Sequence, residues 1–267
     1  MASSELPWKT AWITGASTGI GRELTVMLAG KGVRVAATAR NAAKLDELAG
    51  QVPGIFAVPA DVTNSAEMAA AHKRIMVALG GIDLAVLNAG VWDPMGATDF
   101  TAARVAATMA VNYAGLANAI EPLIPAMIAA GKGHIALVAS VAGYRGLPKA
   151  AAYAPSKAAA ISLAEVLHAD LERHGVKVSV VNPGFVETPM TSVNEFPMPY
   201  LITADDAARR IIRGLQRGKF EVAFPWQMVA MLKFARVLPY SVYFWLVHNV
   251  IAPRGEVTVP GPRTKGE

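Results

Sequence analysis

Short apolar runs without polar alternation recur along the chain and are separated by stretches of helical length. The runs cover residues 11–14, 33–38, 55–58, 84–87, 134–139, 176–181 and 220–224. A strand that is apolar along nearly its whole length is buried on both faces, which is typical of a parallel sheet. The sequence therefore predicts a parallel sheet of about seven strands.

The intervening stretches have the length and composition of helices. They cover residues 22–29, 66–79, 102–130, 158–174 and 204–217. Strands that alternate with helices form βαβ units with right-handed crossovers, so we expect a doubly wound α/β fold with helices on both faces. Within 102–130, Pro122 and Pro125 are expected to kink or restart the helix because each removes an amide donor.

No shift in composition divides the chain, so residues 1–267 are predicted to form a single domain. Hydrophobic residues make up 53% of the sequence and charged residues 17%, which is enough apolar material for a large core. There is no cysteine, which excludes disulfides, thiol catalysis and thiolate metal sites. The five histidines show no metal-ligand spacing, so no metal site is predicted.

The start of the chain suggests a compartment, and the distribution of charge argues against a nucleic-acid partner. The start, MASSELPWKT, lacks the basic flank and apolar run of a signal peptide, so a cytoplasmic protein is expected. The net charge of +5 is spread along the chain without a basic cluster interleaved with aromatic residues, which argues against nucleic-acid binding. A basic balance is compatible with an anionic ligand such as a nucleotide.

A glycine-rich loop, TGASTGIG at residues 14–21, follows the first strand and opens into a helix. Glycines at this spacing allow a tight turn and let the backbone approach a pyrophosphate at the helix N-terminus. Residues 15–19 also match the G-x-S-x-G nucleophile elbow of hydrolases, with Ser17 as the nucleophile. In hydrolases several strands precede that elbow, whereas here only one does, and this favours the dinucleotide interpretation.

The stretch YAPSK, residues 153–157, places a phenol and an ammonium four positions apart. On a helix these positions share a face, so Lys157 can act electrostatically on Tyr153. A tyrosine with a pKa near 10 is a poor acid at neutral pH, and a nearby cation is expected to lower that pKa toward neutrality. Pro155 is tolerated if the pair lies in the first turn of the helix.

Several further motifs occur in order: Asp61–Val62, Asn88–Ala89–Gly90, Asn112, Ser140 and Pro183–Gly184. Together with the glycine loop and YAPSK, they resemble the short-chain dehydrogenase/reductase family over residues 10–190. The resemblance implies a Rossmann-type domain and an oxidoreductase that interconverts a small-molecule carbonyl and alcohol by hydride transfer. A dinucleotide-binding sensor or structural subunit without turnover is the alternative.

The resemblance also implies a set of cofactor contacts. Asp61 and Val62 would lie along the adenine, Asn88 to Gly90 would form the floor between the riboses, and the turn after the sixth strand would hold the carboxamide. The implied contacts are Gly15, Ser17, Thr18, Gly19, Ile20, Gly21, Arg40, Asp61, Val62, Asn88, Ala89, Gly90, Tyr153, Lys157, Pro183, Gly184, Val186 and Thr188. Asp61 is alternatively a helix N-cap or a turn residue.

The end of the second strand predicts which cofactor is used. A site for NAD places a carboxylate here to bind the ribose 2′-hydroxyl, whereas a 2′-phosphate favours an arginine. Ala39 occupies the position of that carboxylate, and Arg40 follows it. We therefore expect a preference for NADP(H) over NAD(H).

Four residues are implied as catalytic: Asn112, Ser140, Tyr153 and Lys157. Reduction of a carbonyl develops negative charge on its oxygen, so a proton donor and a second hydrogen-bond donor are needed beside it. Tyr153 is the expected proton donor, and Ser140 is expected to orient the substrate oxygen, so both are predicted to contact substrate. Asn112 matches the family asparagine that supports a water-mediated proton relay to Lys157.

The chain after the last motif is unusually apolar. Residues 190–200 form either a lid over an apolar substrate or packing against the sheet. Residues 225–252 form an apolar, helical C-terminal extension that is interrupted by Lys233, Arg236 and Pro239 and is too short to span a membrane. Three interpretations remain open: a homodimer or homotetramer interface, peripheral membrane contact through 226–252, or a substrate lid.

Overall fold

The computed structural model describes residues 6–194 and 196–251. Its main sheet has seven parallel strands in the order β3-β2-β1-β4-β5-β6-β9, so the predicted doubly wound sheet is confirmed. The strands are β1 (Thr10–Thr14), β2 (Arg34–Thr38), β3 (Ile55–Ala57), β4 (Leu84–Leu87), β5 (Gly133–Val138), β6 (Val176–Pro183) and β9 (Glu221–Phe224). A separate pair, β7 (Val186–Glu187) and β8 (Ile202–Thr203), was not predicted.

Helices cover both faces of the sheet. They are α1 (Gly19–Ala29), α2 (Ala42–Gln51), α3 (Ser65–Leu79), α4 (Ala102–Met109), α5 (Gly115–Ala130), α6 (Tyr153–Leu171), α7 (Ala204–Gln216), α8 (Trp226–Val237) and α9 (Tyr240–Leu246). Helix α2 was not predicted because only Leu45 and Leu48 are buried from it, which leaves a weak apolar pattern in the sequence. The last element is a π-helix, Val247–Ile251, and Ala252, the predicted end of the extension, lies outside the described residues.

The strands are buried on both sides, as their uninterrupted apolar character predicted. Along β1, Trp12 packs into the core layer on one face of the sheet and Ile13 into the layer on the other face. The indole of Trp12 still finds a partner, because its Nε1 donates to Thr38 Oγ1 at 2.9 Å. That the entire chain 1–267 forms one domain stays a prediction.

The helical stretch from Ala102 to Ala130 is interrupted, but not at the two prolines where an interruption was predicted. Helix α5 continues through Pro122 and Pro125, so the prediction of a restart there is wrong. A proline costs a helix about 3 kcal/mol. The apolar side chains that α5 buries, among them Leu116, Leu123 and Met127, each contribute about 1.5–3 kcal/mol and together outweigh that cost. The irregularity is a π-helical turn, Ala110–Ala114, between α4 and α5.

Only the stretch Ala102–Ala130 is long and apolar enough, by length and composition, to cross a membrane within the part of the chain that the structure describes. The same stretch packs against the sheet through α5 and supplies core side chains. Burial in the core therefore accounts for part of its apolar composition, the side chains that α5 buries.

The order of the strands determines where a ligand-binding site is expected. Strand β1 lies between β2 and β4, so the direction of chain progression reverses at β1. In open α/β sheets, ligands bind at such a switch point, outside the carboxyl ends of the strands. The glycine loop and the loops after β2, β4, β5 and β6 all lie at this edge of the sheet.

Candidate active site

A cleft of about 410 Å³ opens along the carboxyl ends of the strands. It is lined by every predicted site residue except Gly21 and Asn112. Ten further residues line the cleft: Ala39, Asn41, Ala60, Val91, Val111, Val138, Ala139, Pro189, Met190 and Thr191. Most of these are apolar neighbours of motif residues and line the cleft because they share a loop with them.

The glycine loop forms a backbone cradle at one end of the cleft. Gly15 and Gly19 have φ values of +68° and +54°, which other residues rarely adopt. Thr18, the N-cap of α1, makes no capping hydrogen bond with its side chain, and the first turn of α1 contains no acidic residue. The amides at the start of α1 are therefore left to bind an anion, and the helix dipole favours negative charge there.

Gly21 lies behind this loop and does not line the cleft, and its contact with the cofactor stays a prediction. A Cβ at Gly21 would lie 2.2 Å from the Gly15 oxygen and 2.6 Å from Asn88 Nδ2. Asn88 Nδ2 donates to the carbonyls of Thr14 and Gly15 at 3.2 and 3.4 Å. The asparagine thus fixes the loop, and Gly21 is needed because the helix and the loop touch.

The hydrolase interpretation of Ser17 finds no support in the geometry. Ser17 lines the cleft, but no histidine is among the described residues that line it. A serine nucleophile needs an adjacent base to activate it. Ser17 is instead a polar member of the anion cradle.

The adenosine end of the cleft is formed by the loops that follow β2 and β3. Arg40 is exposed, lines the cleft, and makes no ion pair with any residue in 6–194 or 196–251. Asp61 Oδ1 accepts from Thr63 N and Oγ1, both at 2.9 Å. These hydrogen bonds lower the pKa of Asp61, and the positive charge of Arg40 lowers it further. The N-cap of α3 is Asn64, so Asp61 is a turn residue and not the helix cap.

The catalytic candidates meet at the other end of the cleft. Ser140 follows β5, and Tyr153 and Lys157 lie in the first turns of α6, as predicted from YAPSK. The hydroxyls of Ser140 and Tyr153 are in hydrogen-bonding contact. Ser140 Oγ also donates to the Pro183 carbonyl at 3.3 Å and accepts from Ala142 N at 3.1 Å. Its position is therefore set by the turns after β5 and β6.

Lys157 is buried beside the phenol. Its Nζ lies 5.6 Å from the centroid of the Tyr153 ring and donates to the Val138 carbonyl at 3.0 Å. Burial lowers the pKa of Lys157 to about 8. Burial also raises the pKa of Tyr153, and the hydrogen bond with Ser140 opposes that rise. The expected lowering of the tyrosine pKa is therefore wrong for the protein alone, because the loss of solvation on burial is the largest effect on the phenol.

Asn112 lies in the π-helical turn and is fully buried behind the cleft. Its Oδ1 accepts from Val91 N at 2.8 Å, and its Nδ2 donates to Val91 O and Ser156 Oγ, both at 3.0 Å. It joins the loop after β4 to α6. A Cβ at Gly90 would lie 3.2 Å from Asn112 Oδ1 and 3.3 Å from Lys157 Nζ, so glycine leaves room between those two groups. The role of Ser156 as a partner of Asn112 was not predicted, because a single serine within a helix indicates no particular contact.

Trp92 covers the phenol and was also missed. Its ring meets that of Tyr153 edge to face at 4.9 Å between centroids, and its Nε1 donates to Asn194 Oδ1 at 2.8 Å. The loop after β4 is thereby linked over the cleft to the segment after β7. The only sequence signal for this role was its position two residues after the Asn88–Gly90 motif.

One part of the apolar segment 190–200 lines the cleft and another part packs against the domain, which are the two roles considered for it. Met190 lines the cleft. Phe196 instead packs against Phe185, with the ring centroids 5.9 Å apart, and Phe185 packs on the core. Thr188 lies against Gly19, where a Cβ would be 3.0 Å from Thr188 Cγ2. The turn after β6 therefore closes over the glycine loop.

The doubly wound sheet carries an anion cradle at its switch point. At the opposite end of the same cleft lie a buried serine, a buried lysine and a half-buried tyrosine. This combination defines the class of dinucleotide-dependent oxidoreductases. Residues 9–196 match the short chain dehydrogenase family. An uncharacterized oxidoreductase of Myxococcus xanthus is 38% identical over 244 residues, which cover 90% of this chain and 96% of that protein. An uncharacterized oxidoreductase of Staphylococcus saprophyticus is 31% identical over 218 residues, 80% of this chain and 93% of that protein.

A solved structure shares the fold. A short chain dehydrogenase/reductase from Burkholderia phymatum, in complex with NAD, superposes with a TM-score of 0.79 at 26% identity, covering 86% of this chain and 94% of that chain. The chain belongs to the short-chain dehydrogenase/reductase family and is an oxidoreductase. The residues present fit a nicotinamide dinucleotide, because Gly15 and Gly19 line the cleft with positive φ angles and the N-cap side chain of α1 leaves the amides of its first turn free for a phosphate.

Proposed function

We propose that this protein is an NADP(H)-dependent oxidoreductase that interconverts a carbonyl and an alcohol, with Tyr153 as the acid and base. The observation that carries the proposal is the meeting of Ser140, Tyr153 and Lys157 at one end of the cleft whose other end is the glycine cradle. A bound nicotinamide supplies or accepts the hydride. The protein has only to bind, orient and move a proton.

Each polar group has a separate task in the reducing direction. The Tyr153 hydroxyl gives its proton to the substrate oxygen as negative charge develops there. The Ser140 hydroxyl, whose single proton goes to the Pro183 carbonyl in this structure, turns that proton to the same substrate oxygen and donates a second hydrogen bond there. The ammonium of Lys157 stabilises the phenolate that remains. Asn112 holds the loop after β4 against α6 and so acts as a positioning residue.

The preference for NADP(H) rests on Ala39 and Arg40. Neither residue offers a carboxylate that would repel a 2′-phosphate, and the Arg40 guanidinium is exposed at the cleft without a competing ion pair from the described residues. The Burkholderia phymatum relative is in complex with the other cofactor, NAD. The residues of this chain at the end of β2 favour the phosphorylated one.

The cleft surface beside Tyr153 supports an apolar substrate. Trp92, Val91 and Met190 surround the phenol and the cleft mouth with apolar groups. Because of these apolar groups, a ketone or an aldehyde with an aliphatic or aromatic body suits the site better than a sugar. A homodimer or homotetramer is a further prediction of the sequence.

The experiment compares Tyr153→Phe with the unaltered protein in NADPH-oxidation and NADP-reduction assays over ketones, aldehydes and secondary alcohols. We expect turnover to fall by about 10²–10⁴-fold, since the proton donor is removed, while NADPH binding measured by fluorescence titration stays within about twofold. Tyr113→Phe is the matched control, because Tyr113 does not line the cleft. Retained turnover in Tyr153→Phe would exclude the acid/base role. Cofactor binding without turnover of any compound by the unaltered protein would favour the sensor interpretation.

A further inference from the structure

The C-terminal extension, defined here as residues 226–251, presents large apolar side chains to solvent. Nine are exposed: Trp226, Met231, Phe234, Val237, Tyr240, Val242, Phe244, Trp245 and Val250. Scattered apolar side chains are normal on a protein surface, but so many within one short segment mark a binding surface.

The exposed apolar side chains of α8 share a face. Along α8, Met231, Phe234 and Val237 recur every three residues and face outward, whereas Met228 and Leu232 are buried against the domain. In α9, only Tyr243 is buried. Packing on the domain therefore uses one side of α8 and leaves an equally apolar side uncovered.

The extension is held firmly to the domain, so its outward face has a fixed orientation. Tyr243 donates its hydroxyl to the Gly146 carbonyl, and the Arg145 guanidinium stacks on the Tyr240 and Tyr243 rings at 4.5 and 4.4 Å. Lys233 pairs with Glu221 at the edge strand β9. Arg145 and Gly146 belong to the loop that joins Ser140 to Tyr153. The extension and the catalytic loop are thus one connected unit.

The charged residues of the extension indicate which kind of partner binds its exposed face. Residues 226–251 contain no aspartate or glutamate, and the basic Arg236 is exposed without an ion pair in the described chain. A second copy would place the same patch opposite itself, so Arg236 would find no acidic partner within the patch. An anionic bilayer supplies the phosphates that arginine binds, and it accommodates exposed tryptophan and tyrosine at its interface.

The dimensions of the extension fit a position along a bilayer surface. Helix α8 has 12 residues and α9 has 7, and Pro239 separates them. At about 1.5 Å per residue, neither helix approaches the ~30 Å of a hydrocarbon core. An apolar face that cannot span a membrane is buried at the boundary between head groups and acyl chains.

We propose that the outward face of α8 and α9 docks this protein onto the surface of an anionic phospholipid bilayer. The exposed aromatic and aliphatic side chains enter the interface, and Arg236 contacts lipid phosphates. Because the extension holds the loop between Ser140 and Tyr153, the docked protein keeps its catalytic loop next to the lipid surface.

Sedimentation of the purified full chain with vesicles tests the proposal. The vesicles are phosphatidylcholine alone, or phosphatidylcholine mixed with phosphatidylglycerol. We expect binding to the mixed vesicles, and at least about tenfold weaker partitioning for the double variant Phe234→Ser, Trp245→Ser, because two exposed aromatic side chains no longer enter the interface. The matched control is Phe100→Ser, Val77→Ser, which removes two similarly exposed apolar side chains elsewhere.

The arms of the experiment separate the alternatives. Arg236→Glu is expected to weaken binding to the mixed vesicles several-fold and to leave binding to phosphatidylcholine unchanged. Circular dichroism checks that each variant is folded. No binding by the unaltered protein, or equal binding by the double variant and the control, overturns the proposal. A halved mass of the double variant by analytical ultracentrifugation, without vesicle binding by the parent, assigns the face to a second copy. No arm depends on catalysis, so the proposal stands or falls separately from the proposed function.

Discussion

Raising the pH through about 8 should remove the charge that supports catalysis, because burial lowers the pKa of Lys157 to about 8. A lysine whose pKa is lowered carries its positive charge below that pH and loses it above. The ammonium lies 5.6 Å from the Tyr153 ring centroid. At an effective dielectric constant of about 20, a unit charge at that distance stabilises the phenolate by roughly 3 kcal/mol. This corresponds to about two units in the pKa of the phenol, or up to about a hundredfold in rate.

The assay is kcat/KM for NADPH-dependent reduction of any ketone that the enzyme turns over, measured from well below to well above pH 8. We expect a plateau on the acid side and a fall above about pH 8. Lys157→Met should have up to about a hundredfold lower kcat/KM on the plateau, and its fall near pH 8 should be absent. Lys73→Met, which removes an exposed lysine of α3, is the matched control.

Two results would refute this reasoning. One is a profile for the unaltered enzyme that shows no decline near pH 8. The other is a Lys157→Met enzyme with the same kcat/KM and the same pH profile as its parent. Either outcome would mean that Lys157 does not act on Tyr153 through its charge.

Two further predictions concern the cofactor and stability. Arg40→Asp should lower kcat/KM for NADPH by about 10- to 100-fold relative to NADH, since a charge-assisted contact is replaced by repulsion. The control is Arg74→Asp, which changes an exposed arginine outside the cleft. An unchanged ratio of NADPH to NADH efficiency in Arg40→Asp would contradict the assignment. Burial lowers the pKa of His134 to about 4 from its usual 6.5. Between these two pH values the unfolded chain takes up a proton on this histidine and the folded protein does not. The folded protein therefore loses about 3 kcal/mol of stability as the pH falls from 6.5 to about 4. Urea unfolding of His134→Gln between pH 7 and 4 should show a smaller loss of stability than the parent, and an equal loss would rule out this histidine as the cause.

The sequence predicted those parts of the site that depend on local chemistry. The glycine loop, the residues after the strands, and the pair Tyr153 and Lys157 are each recognisable within a few residues, and the sheet brings them to one edge because parallel strands end together. Gly21 has a packing role that the spacing of the motif did not reveal. Its lack of a side chain is needed for its contact with Gly15 and Asn88.

Groups that act across the chain were not predictable in the same way. Trp92 and Asn194 lie far apart in sequence and meet only because two loops cross the cleft. Asn112 reaches Val91 and Ser156 because a π-helical turn interrupts the helix, and no residue pattern in the sequence announced that turn.

The sequence by itself determined the sheet, its parallel order and the identity of the polar groups in the cleft, because apolar runs and short motifs encode burial and backbone conformation locally. Only the tertiary structure decided the electrostatics of those groups. Burial raises the pKa of Tyr153 and lowers that of Lys157, and the Lys157 ammonium donates a hydrogen bond to the Val138 carbonyl. Such effects depend on which atoms surround a charge in space, and neighbours in space are set by the packing of distant segments.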